Sequence, residues 1–304
     1  MGIAVAPASR PAMHAALCGA VEAGGGELVV AADADALIWA DPGAAHDYPT
    51  VIAGAPGVRW IQLPYAGIEP FVHHLDHDHV WTCGKGVYAA PVAEWIVAAL
   101  LAAFRDIPRY SLETTWSAQT GRNLLGARLT VIGGGGITEA LLGLLAPWGC
   151  DVTVVRRRPD PVAGATRTVT SDALADAVAD VDALVVACAL TPETAGIVDA
   201  ALLAGMHERT WLLNAGRGAH VVTDHLVDAL TAGTIAGAVL DVTDPEPLPD
   251  GHPLWGLDTC LITPHVGNTP EMGLPLLAGR VSENVRRWLA GEPLLGAVDV
   301  AAGY

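Results

Sequence analysis

Along the chain, short runs of valine, isoleucine and leucine alternate with longer stretches in which apolar residues recur at helical spacing. Strands buried on both faces read as continuous apolar runs, and helices that cross between parallel strands cover those faces. The pattern therefore predicts an α/β fold built on parallel sheets. In the N-terminal part, strands are expected at 3–6, 28–31, 37–40, 60–63 and 80–83. The segment PVAEWIVAALLAAFRDIPRY follows, starting at Pro91. Proline suits a first helical turn, and apolar residues occupy nearly every face, so this helix is expected to be buried between layers or against a second subunit. Next, a strand at 128–132, a helix at 137–148 and a strand at 152–155 form a compact βαβ unit. Strands at 183–187, 211–214, 237–241 and 260–263, with helices near 200–204 and 223–232, form a second half of the same kind. A last helix at 271–289 lies beyond that half. The expected organisation is a discontinuous domain of residues 1–88 and 268–304, with a continuous domain of residues 89–267 inserted in it.

Length and composition narrow the classes. A chain of 304 residues is long enough for two domains, each with its own core. With 52% apolar and 16% charged residues, and with glycine and proline dispersed, wholesale disorder is excluded. The net charge is −17 and Lys85 is the single lysine, so most of the surface would repel a phosphate backbone, and no nucleic-acid partner is expected. The uncharged apolar stretch at 95–104 is half the roughly 20 residues a bilayer requires, so no membrane partner is expected. The N-terminus has no basic n-region, and Arg10 interrupts its only apolar stretch; a cytoplasmic location is expected. Cys18, Cys83, Cys150, Cys188 and Cys260 are odd in number and contain no CxxC pair, so they are read as reduced, mostly buried thiols.

Candidate chemistry lies at strand ends. VIGGGGITEALL puts Gly133, Gly135 and Thr138 at the three glycine positions of a G-x-G-x-x-G turn between strand and helix. The two glycines let the backbone turn sharply and approach a pyrophosphate on the helix N-terminus. A glycine-rich turn alone is also an ordinary way into a helix, and the βαβ context favours the dinucleotide reading. Thr138 fills the position that normally permits close helix packing, so the helix is expected slightly further off. At the end of the second strand, where an acid would receive the ribose hydroxyls of NAD, stand Arg156, Arg157 and Arg158. A guanidinium there pairs with a 2′-phosphate, which favours NADP(H) over NAD(H); the alternative is a solvated basic strand end. Three more segments place polar residues just past apolar strands: NAGRG at 214–218, LDVTDPEPLP at 240–249 and TPHVGNT at 263–269. Because a doubly wound sheet gathers its strand ends at one crevice, Arg217, Glu246 and His265 can converge. His265 can exchange a proton near neutral pH, Glu246 can orient the ring and stabilise its charged form, and Arg217 can clamp a carboxylate. Spacing alone leaves open that His265 is a structural histidine, Glu246 a turn acid and Arg217 a partner of Asp241.

The chain resembles the D-isomer-specific 2-hydroxyacid dehydrogenases, which include glyoxylate/hydroxypyruvate reductases and phosphoglycerate dehydrogenases. The likeness covers nearly the whole sequence: WIQLPYAGIE at 60–69, PVAEWIVAALLAAFRDIP at 91–108, the glycine-rich turn, LTPETAGIVDAALLAGM at 190–206, and DVTDPEPLPDGHPLW followed by LITPH. It implies a Rossmann nucleotide domain inserted in a smaller flavodoxin-like substrate domain. It further implies that Arg217, Glu246 and His265 are the catalytic arginine, glutamate and histidine, and that the amides of Ala66 and Gly67 bind the substrate carboxylate with Tyr65 lining the pocket. Cofactor contacts are expected at Gly133, Gly135, Gly136, Ile137, Arg156, Arg157, Cys188, Ala189, Thr194, Ala215 and Asp241. Thr138, Ala189 and Arg156 depart from the family pattern, and none of these removes a catalytic group. The implied reaction is reversible hydride transfer between a nicotinamide cofactor and a small 2-oxo acid such as glyoxylate or hydroxypyruvate, in a homodimer whose domains close about hinges near 88–91 and 267–268. The chain ends soon after the last helix, which favours a short reductase-like member over a serine-regulated phosphoglycerate dehydrogenase. The alternatives are a non-catalytic dinucleotide sensor and a dehydrogenase of a larger apolar 2-oxo acid. HHLDHDH at 73–79 is read as a solvated loop and no metal is expected.

Overall fold

The computed structural model describes residues 1–301 and 303. They divide into two compact units, residues 1–88 with the chain from 269 onward, and residues 89–268. In chain order the first unit contains β1 (Gly2–Ala6), α1 (Pro11–Ala23), β2 (Glu27–Leu28), β3 (Ala36–Trp39), α2 (Tyr48–Ala53), β4 (Trp60–Gln62) and β5 (Val80–Thr82). The second contains α3 (Ala89–Phe104), α4 (Ile107–Leu112), β6 (Arg128–Ile132), α5 (Gly136–Leu145), β7 (Asp151–Val155), β8 (Arg167–Val169), α6 (Leu174–Val178), β9 (Ala183–Val186), α7 (Ala200–Ala204), β10 (Trp211–Asn214), α8 (Thr223–Thr231), β11 (Gly237–Leu240) and β12 (Cys260–Ile262). The chain then returns to the first unit as α9 (Pro270–Ala290).

Both sheets are parallel throughout, as the apolar runs imply. The first is ordered β2-β1-β3-β4-β5, the flavodoxin-like arrangement. The second is ordered β12-β11-β10-β9-β6-β7-β8, a doubly wound sheet whose chain order reverses between β6 and β9. Every residue of β9, β10 and β11 is buried, because helices cover both faces of the sheet. In the first unit, Leu277, Val281 and Val285 on one stripe of α9 pack with Leu17 and Val21 of α1. Thr269 caps the start of α9, and Gly291 ends it at φ +68°. Among the described residues, no helix is long and apolar enough to cross a membrane.

Several details differ from the sequence reading. The helix around Pro91 starts at Ala89 and ends at Phe104, where expectation carried it through Tyr110. Asp106 takes a left-handed φ of +57° there, and Pro108 opens a separate helix, α4. Ala93, Ile96, Leu100 and Phe104 of α3 are buried with Leu141, Leu142 and Leu145 of α5, so its apolar face is consumed within its own unit. β8 was not anticipated, since three residues at a sheet edge with no fully buried position leave no apolar run to detect. β2 is two residues long where four were expected. Of the five free cysteines, Cys83 alone is fully buried and the others are half-buried.

Candidate active site

Because the second sheet is wholly parallel, the segments that leave its strands emerge at one carboxyl edge, and ligands of such sheets bind where the winding reverses. Gly133 leaves β6 at that reversal with φ +112°, and a Cβ there would overlap the carbonyl of Ala187 at the end of β9. Only glycine allows this approach. Gly135 caps α5 with nothing within 4 Å of where its Cβ would sit. The first amides of α5, at Gly136 and Ile137, have no partner within the helix by geometry. An open, Cβ-free cradle facing a helix N-terminus fits the pyrophosphate of a dinucleotide. Thr138 is wholly buried, and its hydroxyl donates to the Gly133 carbonyl at 2.7 Å, so the third fingerprint position braces the turn from inside.

Arg156 and Arg157 follow β7 beside this cradle. A Cβ at Gly134 would lie 2.9 Å from Arg156 Cδ and 3.2 Å from its Nε, so the arginine stem runs against the glycine turn. The Glu193 carboxyl is held below its ordinary range by the Thr191 hydroxyl first, then by a backbone hydrogen bond and, with smaller effect, by the charge of Arg157. In that loop Thr194 Oγ1 donates to the Ala189 carbonyl at 2.8 Å. Cys188 faces the ring of His220 at 3.5 Å, and burial pushes its thiol up to about 11. Ala215 N donates to the Val186 carbonyl at 3.1 Å, which keeps β10 in register with β9 as it leaves the sheet.

His265 and Glu246 are brought together: His265 Nδ1 lies 2.8 Å from Glu246 Oε1. With side chains 51% and 43% exposed, the pair adds at most about 1 kcal/mol to stability, so its consequence is orientation. Glu246 Oε1 fixes Nδ1 as the bonded nitrogen and leaves Nε2 to a ligand. The loop of Glu246 is held where Thr223 Oγ1, at the start of α8, donates to the Asp244 carbonyl at 2.6 Å. His265 itself has φ +54°, a left-handed conformation that costs a non-glycine residue about 1 kcal/mol. Asp241, almost fully buried, holds it there. Its carboxylate accepts from Thr263 Oγ1 at 2.6 Å and from the amides of Val266 and Gly267 at 2.8 Å each, and its carbonyl accepts from the amide of His265. The carboxylate of Asp241 thus serves the histidine loop.

Arg217 follows β10 on a turn held by Asn214, whose Oδ1 accepts from Gly216 N at 3.1 Å and whose Nδ2 donates to the Arg217 carbonyl at 2.9 Å. The Arg217 Nη1 donates to the Gly216 carbonyl at 2.9 Å. A Cβ at Gly218 would overlap Thr243 and Asp244, so the arginine turn packs directly on the loop that carries Glu246. In the first unit, the Tyr65 carbonyl accepts from Gly84 N at 3.0 Å and the Pro64 carbonyl from the Tyr88 hydroxyl at 2.7 Å. The amides of Ala66 and Gly67 between these braces donate to no carbonyl of the described residues. In the histidine-rich segment, His79 Nδ1 lies 2.8 Å from Asp76, and the ring centroids of His73 and His74 lie 3.8 Å apart with their planes tilted by 46°. Sequence reasoning missed the anchoring roles of Asn214, Thr263 and His220; all are polar residues in or beside flagged motifs, and burial sets Asn214 and His220 apart.

The family model described as "D-isomer specific 2-hydroxyacid dehydrogenase, NAD binding domain" matches residues 96–267. The chain is 33% identical over 257 residues to the human glyoxylate reductase/hydroxypyruvate reductase, covering 80% of this chain and 77% of that one. It is 30% identical over 283 residues to glyoxylate/hydroxypyruvate reductase A of Yersinia enterocolitica, covering 88% and 87%. Among solved structures, a D-isomer specific 2-hydroxyacid dehydrogenase from Xanthobacter autotrophicus Py2, in complex with NADPH and MES, superposes with a TM-score of 0.86 at 28% identity, covering 100% of this chain and 99% of that one. With a profile match over more than half its length and these relatives, the chain belongs to the D-isomer-specific 2-hydroxyacid dehydrogenase family and is an NAD(P)-dependent oxidoreductase.

Proposed function

We propose that the enzyme reduces a small 2-oxo acid, of the size of glyoxylate or hydroxypyruvate, to the 2-hydroxy acid, with NADP(H) preferred over NAD(H). The observation that carries this reading is the 2.8 Å contact between His265 Nδ1 and Glu246 Oε1 at the carboxyl edge of the sheet. A bound nicotinamide cofactor would supply the hydride that the carbonyl carbon takes. His265 Nε2 gives its proton to the oxygen on which charge develops, and Glu246 keeps the ring turned for that transfer. Arg217 holds the substrate carboxylate through charge-assisted hydrogen bonds, and the family resemblance supports the amides of Ala66 and Gly67, with Tyr65 beside them, as substrate contacts. Around the cofactor, Gly133, Gly135, Gly136 and Ile137 would receive the pyrophosphate, and Arg156 and Arg157 a 2′-phosphate. Cys188, Ala189, Thr194, Ala215 and Asp241 would line the remaining length. The NADPH bound by the Xanthobacter relative supports the same preference. The enzyme is assigned as a homodimer through the segment after α3, where Leu112 is 71% and Trp116 95% exposed.

The test is a screen of glyoxylate, hydroxypyruvate, pyruvate and bulkier 2-oxo acids against NADPH and NADH, followed by absorbance. Small acids with NADPH should give the highest kcat/KM; preference for a large apolar acid would move the substrate class, and NADPH binding without turnover would leave a sensor. His265→Ala should lower turnover by roughly 10² to 10⁴. Near-normal turnover in that variant would remove the histidine from the mechanism.

A further inference from the structure

The Arg217 turn contains a histidine with no part in the chemistry above. His220 is fully buried, 31 residues away in sequence from Ala189 in the loop it touches on its other side. Its Nδ1 lies 3.0 Å from the amide nitrogen of Arg217 and 3.0 Å from the Arg217 carbonyl. Its Nε2 lies 3.3 Å from the Ala189 carbonyl and 3.5 Å from Cys188 Sγ. A Cβ at Gly216 would come within 2.9 Å of Nδ1, so the turn is shaped around this ring.

The partners assign the tautomer. A carbonyl oxygen has two lone pairs, and that of Arg217 already accepts from Asn214 Nδ2 at 2.9 Å and from His220 N at 3.1 Å. The Arg217 amide needs an acceptor, which Nδ1 supplies when it carries no proton. The Ala189 carbonyl can only accept, so Nε2 carries the hydrogen. The Cys188 thiol beside it is neutral and adds a weak contact.

We propose that His220 is a positioning residue for Arg217: in its Nε2–H form it ties the arginine's backbone amide to the strand end at Cys188 and Ala189, and so sets where the guanidinium meets a substrate carboxylate. This rests on the assignment of Arg217 to that carboxylate. The same ring bridges the substrate-binding turn and the loop proposed to line the cofactor. A buried group bonded at both nitrogens has one orientation, and displacing a carboxylate clamp by a fraction of an ångström weakens substrate binding more than it slows a bound substrate.

Two variants separate position from bulk. His220→Asn places an amide oxygen where Nδ1 lies and keeps an acceptor for the Arg217 amide. His220→Gln reaches the Nε2 place and leaves that amide unmatched. With saturating NADPH, His220→Gln should raise KM for glyoxylate about tenfold while kcat and the Kd for NADPH stay within about threefold, and His220→Asn should restore KM to within about threefold of the parent. Equal KM values in the two variants and the parent would overturn the proposal, as would a rise in NADPH Kd that matches the rise in KM. Independently of any substrate, ¹⁵N spectra of histidine-labelled protein at pH 8, assigned by the signals lost in His220→Asn, should show a proton on Nε2 and an acceptor shift on Nδ1. A proton on Nδ1 would overturn the proposal even if the enzyme works as described. A parent enzyme that reduces no 2-oxo acid but shows the Nε2–H form would instead break the functional reading and leave the geometry of His220 standing.

Discussion

Arg156 lies with its stem along the glycine turn, its Cδ 2.9 Å from the space a Gly134 Cβ would take, and the proposed function gives its guanidinium the 2′-phosphate of NADP(H). Charge-assisted bonds to a phosphate contribute roughly 1.5–3 kcal/mol. Arg156→Asp should therefore lower the ratio of kcat/KM with NADPH to kcat/KM with NADH by about 10- to 100-fold. An unchanged ratio would mean that the arginine only meets solvent. Residues of this kind were legible in the sequence because their side-chain chemistry states a purpose at a stated place: a cation where an acid belongs, a histidine and an acid past apolar strands. His220 was legible only as a letter, and Asp241 as a cofactor contact or a partner of Arg217, with nothing to mark its hold on the histidine loop. Whether an aspartate at a strand end faces a ligand or its own chain depends on where one hydroxyl and two amides of a later loop arrive, and no local spacing encodes that.

Among the elements, the loop from 263 to 267 shows how a strand end becomes a site. β12 delivers it, β11 supplies the buried carboxylate that folds it, and the left-handed turn at 265 aims the imidazole. Asp241→Ala would leave one hydroxyl and two amides without their acceptor, at a cost of about 3 kcal/mol, and would release the histidine. Urea unfolding should record that loss, together with a fall in kcat larger than the change in NADPH Kd. Retained kcat would separate the loop from catalysis. The long central strands and helices followed from apolar periodicity, since burial on both faces writes itself as an unbroken run. β8 and the break at Asp106 did not, because a short edge strand has little to bury and a left-handed aspartate is set by the chain it joins.

Taken as a molecule, the chain carries a net charge of −17, and copies of it repel one another. The proposed dimer would therefore draw on apolar area, and the segment after α3 offers Ile107, Leu112, Trp116 and Leu125 with most of their surface exposed. Sedimentation velocity should give a species of twice the 31.3 kDa chain mass, and Leu112→Asp with Trp116→Asp should convert it to monomer. A monomeric parent protein would refute the assignment. The strained backbone at His265 has a consequence at this scale too. Glycine would sit at that point without penalty, so a laboratory selection for heat resistance alone would drift towards it. With His265 in its proposed role, such a selection would return a protein without turnover, and any programme to harden this enzyme has to screen for activity at every round.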